Sequence, residues 1–213
     1  MKRLLLVLSA PSGGGKTTIA RKLLQARNDL GYSVSATTRP MRNGEQEGVD
    51  YYFLTRQEFE RRRAAHEFLE WAEYGGQLYG TLKREIERIL SEGRHAVLDV
   101  DIEGARQIRK NLSNSLQVFV LPPSAEVLIE RLKGRNTENR ELLRKRLTRA
   151  SEELTAVAEY DYAIVNQDLV TAVAEVSAIL DGKADDRLVC RQASLPSQIE
   201  RLRRDVVKAA EKI

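Results

Sequence analysis

The sequence predicts an α/β fold: a parallel central sheet flanked by helices, with an inserted, mostly β segment and a helical lid. Three observations predict it. Apolar strand-like runs alternate with helical patterns along the 213 residues, the mark of a parallel sheet covered on both faces. The first run, Arg3 to Ser9, leads straight into a glycine-rich turn (SAPSGGGKTT, residues 9–18) followed by a helix. Residues 33–80 then break the alternation with short strand-like pieces.

The elements follow in order. Arg3 to Ser9 is a near-continuous apolar strand, as expected where both faces of a sheet are buried. Thr17 to Arg27 is the next helix, and His95–Asp101, Leu116–Leu121 and Tyr160–Asn166 are further core strands. Helices are predicted over Thr81–Glu92, Ile102–Leu112, Ala125–Arg135, Glu138–Glu159 and Leu169–Leu180. In the insertion the strand-like pieces are YSVSA, DYYFL, EFLEWAEY and QLYG, with Gly75-Gly76 as a hairpin turn. Thr55 and Glu58 have capping-box spacing at the start of its one short helix. Residues 134–150 (GRNTENRELLRKRLTRA) carry five arginines, a composition suited to a mobile lid. The predicted organisation is a domain over 1–182, its core in 1–32 and 81–182, the insertion at 33–80 and the lid at about 134–150. A C-terminal extension, 183–213, follows. Beyond Pro196, Ile199, Leu202, Val206, Val207 and Ala210 are spaced to share one helix face, packed on the domain or on a second subunit of a homo-oligomer.

Composition bounds the partners. Apolar residues make up 42% and charged residues 31%, an ordinary balance for a soluble chain. Basic residues (35) exceed acidic ones (31), giving +4. That excess suits an anionic ligand such as a nucleotide. It does not imply nucleic-acid binding, because the arginines are spread through several motifs instead of clustering on one face. Cys190 is the only cysteine, so an intrachain disulfide is impossible, which fits a reducing cytoplasm. MKRLLLVLSA superficially resembles a secretory signal, but its apolar run is short, no small-x-small cleavage site follows, and cleavage would destroy the glycine-rich turn. No stretch reaches the roughly 20 apolar residues that span a bilayer, so no membrane association is expected.

The glycine-rich turn carries the first chemistry. Ala10, Pro11, Ser12, Gly13, Gly14, Gly15, Lys16, Thr17 and Thr18 follow the strand–loop–helix pattern of the P-loop NTPase fold, with Ala10 at a position where the strict pattern has Gly. Glycines let backbone approach phosphate without side-chain interference. Successive N–H groups and the following helix N-terminus then point at anionic oxygens. Lys16 can reach the β- and γ-phosphates of ATP, and the Thr17 hydroxyl can ligate Mg²⁺. An ordinary strand-to-helix turn is the bland alternative, and the apolar strand and helix on either side argue against it.

A second anion-gripping string is TTRPMRNGEQEGVDYYF, residues 37–53. Arg39 and Arg42 can hold phosphate bidentately at any working pH, and Tyr51 can donate to the same oxygens. Alone, two arginines and a tyrosine on a loop are equally at home on a solvated surface. Beside a phosphate loop they suggest transfer between two bound nucleotides.

This string resembles the signature of guanylate kinases, with Thr37, Thr38, Arg39, Arg42, Glu45, Gly48, Tyr51 and Phe53 in register. The likeness continues through EFLEWAEYGGQLYGT, VLDVDIEG, the lid segments GRNTE and RKRL, and YDYAIVN, covering nearly all of residues 3–182. The resemblance implies an ATP:GMP phosphotransferase using Mg²⁺, its insertion binding GMP (and dGMP, if that is tolerated). It places Arg39, Arg42, Tyr51 and Tyr79 on the GMP phosphate, and Ser35, Glu70 and Thr81, with Asp101 nearby, on guanine. One carboxylate can accept both the N1–H and the exocyclic amine of guanine, whereas adenine offers no such pair. The resemblance further places Asp99 near magnesium, directly or through water, and Arg135 and Arg146 on the phosphates with Arg131 close by. Asn166 falls near the adenosine. Catalytic work is thereby implied for Lys16, Arg39, Asp99, Arg135 and Arg146. Asp101 could instead cap the next helix, and Arg140, Arg144 and Arg149 read as solvated helix positions. Asn136 departs from the family's usual Gly after the lid arginine. Two other readings compete: a non-catalytic, peptide-binding relative, against which Lys16 and Thr17 argue, and a kinase of another phosphorylated acceptor, against which Ser35, Glu70 and Thr81 argue.

Overall fold

The computed structural model describes residues 3–133, 140–190 and 195–212. In chain order, β1 (Leu5–Ser9) precedes the glycine-rich loop and α1 (Lys16–Ala26); β2 (Leu30–Tyr32), β3 (Ser35–Thr37), β4 (Tyr52–Phe53), α2 (Arg56–Ala64), β5 (Phe68–Tyr74) and β6 (Gln77–Leu82) follow. Then come α3 (Lys83–Ser91), β7 (His95–Asp99), α4 (Ile102–Asn111), β8 (Ser115–Leu121), α5 (Ala125–Lys133), α6 (Arg140–Glu153), β9 (Tyr162–Val165), α7 (Leu169–Leu180) and α8 (Leu195–Glu211). Two sheets result: a central one ordered β2-β7-β1-β8-β9, with β2/β7 and β8/β9 parallel, and a mixed one ordered β4-β3-β6-β5. The predicted α/β class with a parallel central sheet and a second, mostly β region is the observed one.

The chain divides into two compact units, Met1–Val7 with Arg27–Leu116, and Leu8–Ala26 with Gln117–Ile213. The first contains the mixed sheet. Its core is Ala36, Phe59, Phe68, Leu78 and Leu82, with Tyr52, Leu54 and Trp71 against them. Phe59 reaches this core because α2 starts where the capping box predicts: the Thr55 hydroxyl accepts the Glu58 N–H at 3.1 Å. The hairpin between β5 and β6 turns through Gly75 and Gly76 at φ +59° and +76°, values that a side chain would oppose. Asp101 caps α4 by accepting the Gly104 N–H at 2.8 Å.

In the second unit α8 packs on α5 and α6, burying Val206 and Ala210. Arg203 reaches the Ser151 carbonyl at 3.2 Å. The helix therefore covers its own unit, one of the two roles expected for it. The Cys190 thiol is buried, and burial pushes its pKa up to about 12, so it is an unreactive group.

Several element boundaries differ from expectation, each for a physical reason. The piece YSVSA splits between the two sheets: Tyr32 ends β2, Ser33 donates its N–H to Val97 O at 3.0 Å, and Ser35 starts β3. The helix expected from Thr81 begins at Lys83, because Thr81 pairs with Ser35 on one side and Glu70 on the other. The helix expected over Glu138–Glu159 spans Arg140–Glu153 in its described part and then tightens into a 3₁₀ turn, Leu154–Glu159. That turn buries Leu154, Ala156 and Val157 before the chain enters β9. Val207, expected on the apolar face of α8, is 42% exposed, because Val206 and Ala210 hold that face.

Phe59 is fully buried and stacks on Phe68 with ring centroids 4.2 Å apart. Phe59→Ala is therefore expected to destabilise the protein by about 3 kcal/mol through lost burial and the cavity left behind. Urea unfolding followed by Trp71 fluorescence, the single tryptophan lying against this cluster, measures the loss.

Candidate active site

In the second unit the phosphate loop joins the end of β1 to α1, whose first residues are Lys16, Thr17 and Thr18. Gly13 and Gly15 have φ of +84° and +94°, so each needs the freedom of glycine. Gly14 is constrained differently. A Cβ there would sit 2.6 Å from the Ala10 Cβ and 3.0 Å from the Pro11 carbonyl. The departure at Ala10 is thus accommodated by the missing side chain four residues on.

The loop is held from three neighbouring elements. Asn166, just past β9, donates its side-chain amide to the Gly14 carbonyl at 2.9 Å. Arg131 on α5 donates to that carbonyl at 3.4 Å and to the Asn166 carbonyl at 3.1 Å. The Ser12 N–H donates to Glu153, the last residue of α6, at 3.0 Å. Arg131 and Asn166 accordingly sit against the loop backbone. Arg146 is half-buried on α6, while Arg135 and Asn136 lie outside the described residues.

In the first unit three predicted residues line up across adjacent strands: Ser35 of β3 pairs with Thr81 of β6, which pairs with Glu70 of β5. The ladder shifts register between Phe68 and Glu70, and a bulge of this kind re-aims the side chain that follows it. The Thr81 hydroxyl donates to Glu70 Oε1 at 2.6 Å. A Cβ on Gly104 would lie 3.1 Å from Glu70 Oε2 and 3.4 Å from Asp101 Oδ1, so the cap of α4 and this carboxylate flank one glycine. Burial pushes the Glu70 pKa up to about 7, the Thr81 bond opposing and nearby Asp101 adding to the rise.

One row further along the sheet, Thr37 pairs with Tyr79. The Tyr79 and Tyr51 rings meet edge to face at 6.2 Å, and the Arg39 guanidinium lies 5.3 Å from the Tyr51 ring centre. Arg39 also donates to Glu45 Oε1 at 2.7 Å, while Glu45 Oε2 accepts the Arg42 N–H at 2.8 Å. These bonds, that from Arg39 foremost, hold the Glu45 carboxyl below the usual carboxylate range. Burial raises the Tyr51 phenol, which keeps it a donor. At the end of β7, Asp99 accepts the Tyr32 hydroxyl at 2.7 Å. Arg39, Tyr51 and Tyr79 come together as one cationic, hydroxyl-bearing cluster, while Arg42 stays exposed on the loop.

Sequence reasoning gave no role to Glu45, Tyr32 or Glu153. Glu45 was visible only as a matching position in the string. Tyr32 reaches Asp99 because β2 pairs with β7, and Glu153 reaches Ser12 across 141 residues. Neither pairing leaves a local signal.

A glycine-rich loop between a sheet strand and a helix, with a cationic, hydroxyl-bearing cluster on a mixed sheet, is the arrangement of a P-loop nucleoside monophosphate kinase. The guanylate kinase family model matches residues 2–183. A guanylate kinase of Symbiobacterium thermophilum is 48% identical over 179 residues, covering 84% of this chain and 85% of that one. One from Syntrophotalea carbinolica is 41% identical over 204 residues, covering 95% of each chain. The crystal structure of guanylate kinase from Anaplasma phagocytophilum matches with a TM-score of 0.68 at 34% identity, over 93% of this chain and 94% of that one. The chain belongs to the guanylate kinase family: it is an enzyme that moves the terminal phosphoryl group of ATP onto GMP, giving GDP and ADP.

The contact between Gly14 and Ala10 makes a specific prediction. Gly14→Ala drives two Cβ atoms to 2.6 Å, displacing the loop, and the KM for ATP is expected to rise at least about tenfold. Ala10→Gly introduced into the same chain removes one of the clashing atoms and is expected to recover part of that loss in steady-state kinetics.

Proposed function

We propose that the family reaction runs here on two anion sites, ATP on the phosphate loop and GMP on the mixed sheet. The observation carrying the reading is the row Ser35–Thr81–Glu70, which sets a buried, hydrogen-bonded carboxylate among polar side chains. Guanine presents N1–H and an exocyclic N–H side by side, and ionised Glu70 accepts both. AMP would leave that carboxylate desolvated with only its Thr81 bond, the kind of unmet acceptor that separates substrates most strongly. Arg39, Tyr51 and Tyr79, joined by Arg42, grip the GMP phosphate. In this reading Glu45 keeps Arg39 oriented until phosphate competes for its fork.

On the donor side the loop N–H groups and Lys16 hold the triphosphate, and Arg146 with Arg135 neutralises charge on the transferring group. Thr17 and Asp99 are oxygen donors, the ligand type Mg²⁺ prefers, and no group of three or more His, Cys, Asp or Glu suited to a metal occurs among the described residues. Thr17 or Asp99, directly or through water, would hold Mg²⁺, a cation that enters such sites with the nucleotide phosphates. When bound, Mg²⁺ neutralises charge on the β- and γ-phosphates. Phosphoryl transfer asks the rest of the chain chiefly for positioning of both nucleotides and exclusion of water, so that ATP is not hydrolysed. No helix among the described residues is long and apolar enough to cross a membrane. We place the enzyme in the cytoplasm, a reading supported by its single, buried cysteine.

An acceptor panel of GMP, AMP, dTMP and CMP, read by ADP release, is expected to show at least about a thousandfold preference for GMP in kcat/KM. Lys16→Ala is expected to lower kcat at least about a hundredfold. Comparable turnover of AMP, or unimpaired transfer without the lysine, contradicts the assignment.

The Glu70 pKa fixes the sign of a pH effect. Because its pKa in the folded protein, about 7, lies above the ordinary carboxylate value, the protonated form is favoured by folding. Its contribution to stability is therefore present at low pH and lost as pH rises through 7. GMP needs the ionised form, so its KM is expected to climb as pH falls below about 7, by up to tenfold per unit, with the KM for ATP moving much less. Glu70→Gln is expected to flatten that profile at a uniformly weak GMP affinity.

A further inference from the structure

We propose that Glu153 is a positioning residue that ties the phosphate loop to helix α6, so that the loop and Arg146 are set as one piece. A carboxylate is the least expected side chain beside a loop built to receive a triphosphate, since its charge repels the ligand. Yet Glu153 lies against the loop: its Oε2 accepts the Ser12 N–H at 3.0 Å, while Oε1 accepts Arg149 Nε at 2.9 Å. Its side chain is 15% exposed, against 54% for Arg149. The carboxylate is thus spent on one backbone donor of the loop, and Arg149, one turn earlier, offsets its charge.

The bond fills a gap in the loop's support. Asn166 and Arg131 hold the loop through the Gly14 carbonyl, and the Gly14 N–H closes a turn on Pro11 O at 2.8 Å. Ser12 lies on the entry side, just before Gly13 turns the chain at φ +84°. With no anchor there, the first limb of the loop is free to swing about that glycine, and the N–H groups beyond it lose their common aim.

The same bond orients α6. Arg146 precedes Glu153 by seven residues, two helical turns, so both lie on one face about 10 Å apart along the axis. Because Glu153 meets the loop, that face is the loop side. Leu143, Leu147 and Ala150 are buried, so the helix cannot rotate about its axis without exposing them. The tether therefore delivers Arg146 to the side of the helix where the phosphates sit. This coupling rests on the role given to Arg146 above, whereas the tether itself does not.

Three variants, Glu153→Ala, Glu153→Gln and Arg146→Ala, together with the double variant Glu153→Ala/Arg146→Ala, test the proposal by steady-state kinetics and thermal unfolding. Glu153→Ala removes the acceptor and is expected to raise the KM for ATP about tenfold, the loss expected for a hydrogen bond to a charged group, with the KM for GMP within about twofold. Glu153→Gln keeps an acceptor oxygen but no charge, and is expected to restore the KM for ATP to within about threefold of the unaltered enzyme. In the double variant the two losses are expected to combine to well below their product, because both act through one helix. An unchanged KM for ATP in Glu153→Ala overturns the tether. So does a parallel rise in both KM values with a lowered Tm, or failure of glutamine to rescue. If the tether results hold but Arg146→Ala is silent, the tether stands and the coupling is overturned together with the phosphate role of Arg146.

Discussion

A phosphate loop must hold several backbone N–H groups aimed at one point while carrying almost no side chain there, and the second unit is organised around that demand. The glycines that let phosphate approach also make the loop the most pliable piece of chain in the unit, with Gly13 and Gly15 in the left-handed region. Rigidity has to come from outside the loop. Asn166 and Arg131 supply it at the Gly14 carbonyl and Glu153 at the Ser12 amide. Within the loop, Ala10 occupies the space a side chain on Gly14 would need. The order of the strands and helices in this unit is what delivers α5, α6 and the end of β9 to one short loop.

The first unit meets the opposite demand, a rigid sheet that must tolerate polar groups in its interior. Glu70 and Thr81 are both buried and hydrogen-bonded to one another, the hydroxyl donating to the carboxylate at 2.6 Å. Satisfaction is incomplete, because a carboxylate has room for further donors. Burial raises the pKa of Glu70 to about 7, and the Thr81 bond only partly opposes it. In the proposed reading the two adjacent N–H groups of guanine complete the set, which gives selectivity and proton linkage one physical origin. The aromatic core of Phe59 and Phe68 keeps the strands from adjusting around the buried charge.

Both units place acids beside cations and amides of the candidate site. Glu45 holds Arg39, and Glu153 holds the Ser12 amide and Arg149. Opposite charge within hydrogen-bond reach fixes a long side chain that would otherwise sample many rotamers. The first pairing lies on the loop between β3 and β4. The second ties a backbone amide of the glycine-rich loop to α6.

What the sequence by itself determined were features with a local cause. The strand–glycine loop–helix pattern announces the phosphate site because only glycines permit that backbone. The capping box at Thr55 and the Gly75-Gly76 hairpin are likewise written within four residues. The alternation of apolar runs and helices was enough for the α/β class, and the string from Thr37 to Phe53 contains Arg39, Tyr51 and Glu45, which the structure brings into contact. Tertiary structure decided what depends on pairings between distant segments. It split YSVSA between two sheets, drew Thr81 out of the expected helix into a row with Ser35 and Glu70, and brought Tyr32 to Asp99 and Glu153 to Ser12. Each of these rests on strand register or on helix packing over tens of residues to more than a hundred. In such a contact the free energy belongs to two surfaces meeting, and neither segment carries a trace of it alone.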